Sequence, residues 1–457
     1  MEREHLGSRL GFILLSAGCA IGVGNVWKFP YLAGQSGGGL FVLVYLFFLV
    51  ILGLPVLTME FSMGRAAQKS PVRLYQQLEP QGSKWHLHGY VAMAGNYILM
   101  MFYTTVCGWM IYYFFATAGG AFVGADTARV GAIFSEMLAN TPAMVGCMLL
   151  TVIGGFAICS IGLQNGLERV TKWMMLALLA IMLILAVNSV TMEGGSEGLA
   201  FYLVPDLERA MDVGILTVLV NAMNQSFFTL SLGIGAMAIF GSYLNKDRAL
   251  LGESVNVTVL DTFVAFTSGL IIFPACFAYG VEPDSGPNLI FVTLPNIFNH
   301  MPLGRLWGSL FFLFLLFASF STVLAVFENI MACCSDLFGW SRKKSGLINT
   351  FIMIVLSLPC TLGFNVLSGI QPFGEGSSIM DLEDFVVSNL LLPIGSLIFV
   401  LFCVTRYGWG WKNFLHEANQ GKGLKFPDHP ALRFYITFIL PLIVIAILAV
   451  GVLDKFL

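Results

Sequence analysis

The fold of this chain is decided by Ser16-Ala17-Gly18-Cys19-Ala20-Ile21-Gly22-Val23-Gly24-Asn25-Val26-Trp27-Lys28-Phe29-Pro30. This stretch lies in the first strongly apolar segment, which starts at Leu10 and is long enough to cross a bilayer. A regular helix is disfavoured there, because each of its three glycines costs about 1 kcal/mol relative to alanine in a helix interior. Two interpretations are open. The stretch is either a kinked helix whose glycines pack against neighbours, or broken backbone that lines a cavity inside the protein.

A second interrupted segment favours the cavity. It reads Asn224-Gln225-Ser226-Phe227-Phe228-Thr229-Leu230-Ser231-Leu232-Gly233-Ile234-Gly235-Ala236, so Gly-Ile-Gly at 233–235 matches Gly-Val-Gly at 22–24. The two stretches lie in the first and sixth apolar segments, which are corresponding positions of two halves of five segments each. Paired glycine-interrupted spans of this kind are typical of a transporter that binds its substrate near the bilayer midplane.

The composition indicates a membrane protein. Of the 457 residues, 57% are hydrophobic and 11% are charged, whereas a soluble domain carries about 25% charged residues. At roughly 20 apolar residues per crossing, we predict an all-α polytopic protein with about eleven transmembrane helices. Their approximate ranges are 10–33, 39–64, 89–121, 143–162, 172–191, 212–243, 255–281, 305–338, 346–366, 384–405 and 431–453.

The basic residues predict the orientation. With the N-terminus inside, 18 of the 23 Lys and Arg residues fall on the cytoplasmic side, leaving Lys28, Arg129, Arg209, Arg305 and Lys455. Positively charged loops are retained in the cytoplasm, so we expect a cytoplasmic N-terminus and, for eleven spans, an extracytoplasmic C-terminus. The short start of the chain predicts no cleavable signal peptide.

Enzyme signatures are missing from the sequence. It contains no P-loop, no H-E-x-x-H and no C-x-x-C, and the loops are too short for a catalytic domain. His86-x-His88 is a weak metal pattern that is more typical of an ordinary loop. We therefore predict that the protein is not an enzyme.

Ionisable residues within apolar segments are functional candidates, because charges are costly in a membrane. Asp261, Glu60 and Glu328 lie inside predicted spans, and Asp384 begins one. Two plainer interpretations stay open. In one, Glu60 and Asp384 lie near helix ends and reach the lipid headgroups. The other concerns Asp261, an inward-facing carboxylate that local hydrogen bonds would satisfy.

Oxygen-bearing side chains in the same segments indicate a cation site. Hard cations prefer oxygen ligands, and the chain offers the Asn25 amide, the Thr229 hydroxyl, the Asp261 carboxylate and the hydroxyls of Ser321 and Thr322. A lone hydroxyl pair in a membrane helix usually bonds its own helix carbonyls. Its coincidence with two broken helices favours an ion site, and the helix that restarts after the first break offers N–H groups to a carboxylate.

The chain resembles the neurotransmitter:sodium symporter family, and its bacterial amino-acid transporters in particular, over nearly its whole length. The motifs that carry the resemblance are Arg3-Glu4-His5, Arg9-Leu10-Gly11, the residues from Ala20 to Pro30, Ser36 to Gly39, Gly64-Arg65, Thr229 to Gly235, Ser242-Tyr243 and Asp384-Phe385. The resemblance implies a LeuT-type 5+5 inverted repeat with helices 1 and 6 broken. We expect one transporter domain over 1–457, with repeats at about 10–191 and 212–405 and an extra helix at about 431–453, in the plasma (inner) membrane of a prokaryote.

The resemblance also implies two sodium sites. The first would comprise Ala20, Asn25, Thr229 and Asp261, together with the substrate carboxylate. The second would comprise Gly18, Ile21, Ala318, Ser321 and Thr322.

The substrate site and the gates are implied in the same way. The substrate would contact Ala20, Val23, Gly24, Leu99, Tyr103, Phe228, Thr229, Ser231, Ile234, Thr322 and Val326. The outer gate would pair Lys28 with Asp384, the inner gate would pair Arg3 with Asp336, and Glu60 would steady the unwound sixth helix. Lys28 stands where the family usually has Arg. Its ammonium group lacks the planar guanidinium that binds a carboxylate in a bidentate manner, so we expect a weaker ion pair between Lys28 and Asp384.

The predicted function is sodium-coupled import of a neutral, hydrophobic or aromatic amino acid by alternating access, because the implied pocket carries no charge. Asp261 replaces the family's common Asn, and Ala265 one turn on has no hydroxyl. A fixed carboxylate would supply the charge that chloride supplies in animal members, so we expect chloride independence. Protonation of Asp261 on the return step would add proton antiport.

The expected partners are the amino acid, sodium and the lipid bilayer, and we expect no nucleic acid. The nearest alternative is a proton-coupled exchanger of the same architecture, followed by a channel or receptor and then by a membrane enzyme.

Overall fold

The structure, a computed structural model, describes residues 4–280 and 287–456. Over these residues the regular secondary structure is helical, apart from one isolated β-bridge between Arg248 and Lys422. The predicted all-α class is confirmed.

The described residues contain nine helices that are long and apolar enough to cross a membrane, and one bent pair that makes a tenth crossing. In chain order, the membrane helices and their shorter pieces are α1 (Arg9–Ala20), α2 (Gly24–Gln35), α3 (Gly39–Ala67), α4 (His86–Gly119), α5 (Thr141–Ile161), α6 (Leu163–Val190), α7 (Ile215–Phe228), α8 (Ala236–Gly241), α9 (Leu250–Ala278), α10 (Gly304–Phe338), α11 (Arg342–Leu362), α12 (Ile379–Val404) and α13 (Pro430–Leu453). Short helices connect them at Pro71–Leu78, Thr127–Ala139, Ser196–Leu203, Leu207–Val213, Leu294–His300 and Trp411–Ala418.

By helix length and apolarity alone, the predicted sixth span is not counted as a crossing. The predicted sixth span consists of α7, with 14 residues, and α8, with 6 residues, separated by non-helical backbone. Neither piece is long enough to cross alone. Ten crossings are therefore supported by length and apolarity, and the count of eleven is not confirmed.

Both predicted helix breaks are present. α1 ends at Ala20, Ile21 is extended with ψ 101°, and α2 then restarts at an angle of 58° to α1. In the second break, Ser231 and Gly233 have positive φ values of 51° and 100°. Glycine adopts such angles at little cost, which is why the chain unwinds at this Gly-Ile-Gly.

Close packing explains the glycine at position 24. A Cβ atom there would lie 2.6 Å from the Phe228 ring, closer than carbon atoms approach. The glycine lets the start of α2 touch the end of α7, so the two breaks meet in the interior. α10 packs along α4 and also contacts α1 and α6, which encloses the breaks.

A buried arginine anchors the end of the bundle that the sequence predicts to be cytoplasmic. Arg65 on α3 is fully buried, and its Nε donates to Glu417 Oε1 over 2.6 Å. A second guanidinium nitrogen, Nη1, donates to the Arg248 carbonyl over 2.6 Å. The contact joins α3 to the loop before α9 and to Trp411–Ala418, beside the bridge formed with Lys422.

Candidate functional site

The first group of predicted sodium ligands comes together between the two breaks and α9. Asn25 Nδ2 lies 2.7 Å from Asp261 Oδ1, and the Thr229 hydroxyl donates to Asp261 Oδ2 over 2.8 Å. Asn25 and Asp261 are fully buried, and Thr229 is 1% exposed. Among the described residues, no Lys, Arg or His forms an ion pair with Asp261. A buried carboxylate without a positive partner is costly, so this arrangement suits a bound cation.

The second group of predicted sodium ligands comes together where α10 crosses the first break. The Ser321 hydroxyl lies 2.9 Å from the carbonyl oxygens of both Gly18 and Ala318. The Thr322 hydroxyl lies 3.2 Å from the Ile21 carbonyl and 3.3 Å from that of Gly18. Each hydroxyl has one proton to donate, so two protons face three carbonyls. This excess of converging oxygen atoms is the donor set that hard cations prefer.

A cavity lies next to both groups. Its volume is about 30 Å³, room for about one water molecule, so the surrounding side chains are closed around it in this conformation. Its lining residues include no acidic or basic side chain. They are Cys19, Ala20, Gly22, Gly24, Leu99, Tyr103, Phe228, Ser231, Ile234, Thr322 and Leu392.

Most of the predicted substrate contacts line this cavity, but three do not. Val23 lies beside it, where its backbone N–H donates to the Tyr103 hydroxyl over 2.9 Å. Thr229 faces Asp261 instead. Val326 is fully buried in the packing of α10.

Three lining residues were not predicted: Cys19, Gly22 and Leu392. Cys19 and Gly22 belong to the first break, so the glycine pattern could have included them. Leu392 belongs to α12, an apolar helix with no polar pattern to mark this position. Only its tertiary contact with the second break brings it to the cavity.

Glu60 lies against the second break, the unwound segment that it was predicted to steady. It is fully buried on α3, and its Oε1 accepts a hydrogen bond from the Gly233 backbone over 2.6 Å. The bond pairs a backbone N–H that the unwound segment would otherwise leave without a partner.

The predicted outer gate pair is not formed in this structure. Lys28 Nζ lies 3.9 Å from the centre of the Phe228 ring, a cation–π contact. Asp384 accepts a hydrogen bond from the Ser388 hydroxyl over 2.7 Å. The described residues contain no ion pair between Lys28 and Asp384, because the ammonium group is directed at the aromatic ring. Their role as a gate stays a prediction.

The predicted inner gate lies partly outside the described residues, because Arg3 is not among them. Its predicted partner Asp336 accepts a hydrogen bond from the Ser70 backbone over 2.7 Å.

A neighbouring network was not predicted from the sequence. Glu328 accepts hydrogen bonds from the Tyr243 hydroxyl over 2.6 Å and from Arg342 Nη1 over 3.1 Å. Arg342 also lies 3.4 Å from Glu4. The sequence signal for this network is a glutamate inside an apolar segment, Glu328, followed 14 positions later by Arg342.

The histidines at 86 and 88 do not form a metal site. His86 pairs with Glu79 over 2.7 Å, whereas His88 is buried against the rings of Tyr75 and Phe399. Residues 4–280 and 287–456 hold no group of three or more His, Cys, Asp or Glu side chains that could bind a metal ion.

Comparison with known proteins agrees with the geometry. The model of the sodium:neurotransmitter symporter family matches residues 3–123 and 132–455. An uncharacterized sodium-dependent transporter of Bacillus subtilis, YhdH, is 33% identical over 449 residues, covering 98% of each chain. The sodium- and chloride-dependent GABA transporter 2 of Bos taurus is 23% identical over 489 residues, covering 96% of this chain and 78% of its own.

A solved structure shares the fold. The crystal structure of MhsT in complex with L-phenylalanine has a TM-score of 0.87 and 36% identity, covering 98% of this chain and 100% of that chain. The chain belongs to the sodium:neurotransmitter symporter family and is a sodium-coupled membrane transporter of a small molecule, not an enzyme.

Proposed function

We propose that the protein imports a neutral amino acid with a hydrophobic or aromatic side chain, using the sodium gradient. The observation that carries this proposal is an uncharged cavity lined by Gly24 and Phe228. Their chain neighbours Asn25 and Thr229 hydrogen-bond the buried Asp261, which has no basic partner among the described residues. A charged substrate side chain would find no counter-charge there, whereas an apolar one would be desolvated at a gain. The similarity to a protein solved with L-phenylalanine supports the same substrate class.

The substrate carboxylate would bind at the first break. The amides of Val23 and Gly24 open α2, where N–H groups without a partner in their own helix and the helix dipole favour an anion. The Tyr103 hydroxyl lies 2.9 Å from the Val23 nitrogen and is within reach of the same carboxylate. The side chain would then extend toward Leu99 and Ile234.

Two sodium ions would be transported with the amino acid. Asn25, Thr229, Asp261 and the Ala20 carbonyl would hold the first, and the oxygen cluster around Ser321 and Thr322 the second. The first sodium site would lie next to the proposed site of the substrate carboxylate, so sodium and substrate would bind cooperatively. The drive is partly electrical, about 2.3 kcal/mol for each charge moved across 100 mV.

Chloride would not be required. Asp261 supplies a negative charge beside the first sodium site, and Ala265 one turn further on α9 offers no hydroxyl to an anion. The GABA transporter 2 of Bos taurus is named as chloride-dependent; the proposal separates this chain from it.

Transport would follow alternating access, with Lys28 and Asp384 closing the outer side and Arg3 and Asp336 the inner side. We place the protein in the plasma membrane of a prokaryote with its N-terminus in the cytoplasm. It would form one domain of two inverted repeats, at about 10–191 and 212–405.

The test is uptake of labelled amino acids into proteoliposomes, with and without an inward sodium gradient. We expect sodium-driven accumulation of hydrophobic or aromatic amino acids, lost in Thr229→Ala and Asp261→Ala. Thr267→Ala is the matched control, because its hydroxyl bonds only the Phe263 carbonyl of the same helix, over 2.7 Å. Accumulation that follows a pH gradient and ignores sodium would instead indicate the proton-coupled exchanger.

A further inference from the structure

Leu392 is the one cavity residue contributed by α12. The other ten lining residues belong to α1, α2, α4, α7, α10 and the two breaks. We propose that Leu392 is a specificity-determining residue that limits the size of the transported side chain. The inference rests on the proposed function, since it concerns the same cavity and the same substrate class.

The backbone of α12 directs Leu392 toward the cavity. α12 is α-helical over Ile379–Phe385, π-helical over Val386–Leu391 and α-helical again from Leu392. A π turn shifts the following residues around the helix axis and is frequent at functional sites. Pro393 follows directly and cannot donate a backbone hydrogen bond, which favours irregular geometry at this point.

α12 and the second break are in direct backbone contact at the same level. A Cβ atom on Gly233 would collide with the Leu392 carbonyl, and one on Gly395 would collide with the Gly233 carbonyl. Leu392 is only 4% exposed. With backbone against backbone, α12 has no room to move toward the break, so the Leu392 side chain is held in place.

Leu392 completes an apolar wall with residues that the substrate was already predicted to meet. Ile234 and Leu391 are both within 3.3 Å of the position a Cβ would take on Gly95 of α4. Leu99, one turn further along α4, and Ile234 line the cavity together with Leu392. In a cavity this closely packed, with a volume of about 30 Å³, removal or addition of a few carbon atoms changes which side chains fit.

The expected effect is a change in substrate profile. One methylene in an apolar pocket alters discrimination by about 10–200-fold. Leu392→Ala should raise uptake of tryptophan relative to leucine by about tenfold or more. Leu392→Phe should do the reverse, with loss of tryptophan and phenylalanine uptake and retention of alanine or valine.

The experiment measures kcat/KM for labelled alanine, valine, leucine, phenylalanine and tryptophan in proteoliposomes with an inward sodium gradient. Wild type, Leu392→Ala and Leu392→Phe are compared with Leu397→Ala. The control removes the same side chain from the same helix at a residue that does not line the cavity. Its profile should match wild type.

The outcomes separate the two proposals. Wild-type protein without sodium-driven uptake would overturn the proposed function. Sodium-driven uptake with an unchanged size profile in both Leu392 variants would overturn this inference alone. If a variant binds but does not complete transport, ligand-induced thermal stabilisation of the purified protein by the same five amino acids gives the profile. An unchanged binding profile again overturns the inference.

Discussion

Asn25 and Asp261 are joined by a fully buried hydrogen bond, with 2.7 Å between Asn25 Nδ2 and Asp261 Oδ1. The two residues are 236 positions apart, one at the first helix break and the other on α9. Thr229, at the second break, donates to the other oxygen of the same carboxylate over 2.8 Å. One carboxylate therefore holds both breaks, and four predictions start from this site and its surroundings.

Asp261→Asn should make transport depend on chloride. The amide keeps the size of the side chain but removes the negative charge, so an anion would be needed beside the first sodium ion. The measurement is initial uptake in sodium chloride compared with sodium gluconate. Glu253→Gln is a control on the same helix, because Glu253 pairs with Arg9 over 3.0 Å, away from the cavity. Wild-type uptake that already falls without chloride would contradict the proposal.

Ser321→Ala should weaken sodium activation. Its hydroxyl is one of the oxygens at the second proposed ion site, and a hydrogen-bonding group to a charge contributes about 1.5–3 kcal/mol. We expect the sodium concentration for half-maximal uptake to rise by about tenfold or more. Ser319→Ala, two residues away, is the control, because that hydroxyl bonds the Leu316 carbonyl over 3.1 Å. Equal sodium curves for the two variants would argue against an ion at Ser321.

Lys28 and Asp384 should be energetically coupled if they close the outer gate together. A double-mutant cycle with Lys28→Gln and Asp384→Asn, read on substrate half-saturation, should give about 0.2–1 kcal/mol, as for partly exposed ion pairs. The control cycle combines Lys28→Gln with Asp381→Asn. Asp381 caps its own helix, where its carboxylate accepts a hydrogen bond from the Ser378 hydroxyl over 2.7 Å. Coupling no larger than the control would leave Lys28 with its contact to the Phe228 ring alone.

His88→Phe should stabilise the protein. His88 is 7% exposed, and within the described part of the chain neither ring nitrogen makes a hydrogen bond of normal geometry. Its ring lies 5.4 Å from that of Tyr75 and 5.8 Å from that of Phe399. An unpaired buried polar group costs about 1–3 kcal/mol, and phenylalanine has a similar shape. The apparent melting temperature in detergent should rise.

His86→Phe is the matched comparison, because it removes the contact with Glu79 and should not stabilise. A lower melting temperature for His88→Phe would show that the His88 nitrogens have a stabilising role.

The residues of the proposed ion sites carry local signals in the sequence. A glycine pair inside an apolar segment, or Ser321 next to Thr322 at membrane depth, is unusual in a short stretch of sequence. Leu392 carries no such signal, because its place at the cavity depends on how α12 is aligned with the distant second break. The pairing of Glu328 with Arg342 has only a weak signal, a glutamate in an apolar segment 14 positions before a basic residue.

The outer gate shows the same limit. Lys28 reads as a partner for Asp384, but it contacts Phe228, which α7 brings to the start of α2.

The amino-acid sequence by itself determined the class of the protein and the positions of its helix breaks. Apolar length dictates where the chain must be helical in a membrane, and paired glycines mark where it is not. Only the tertiary structure decided which residues line the cavity between the two breaks and which partners the charged residues of the chain contact. These depend on contacts between helices far apart in the chain, such as Gly233 against Leu392, and such contacts form only when the whole bundle packs.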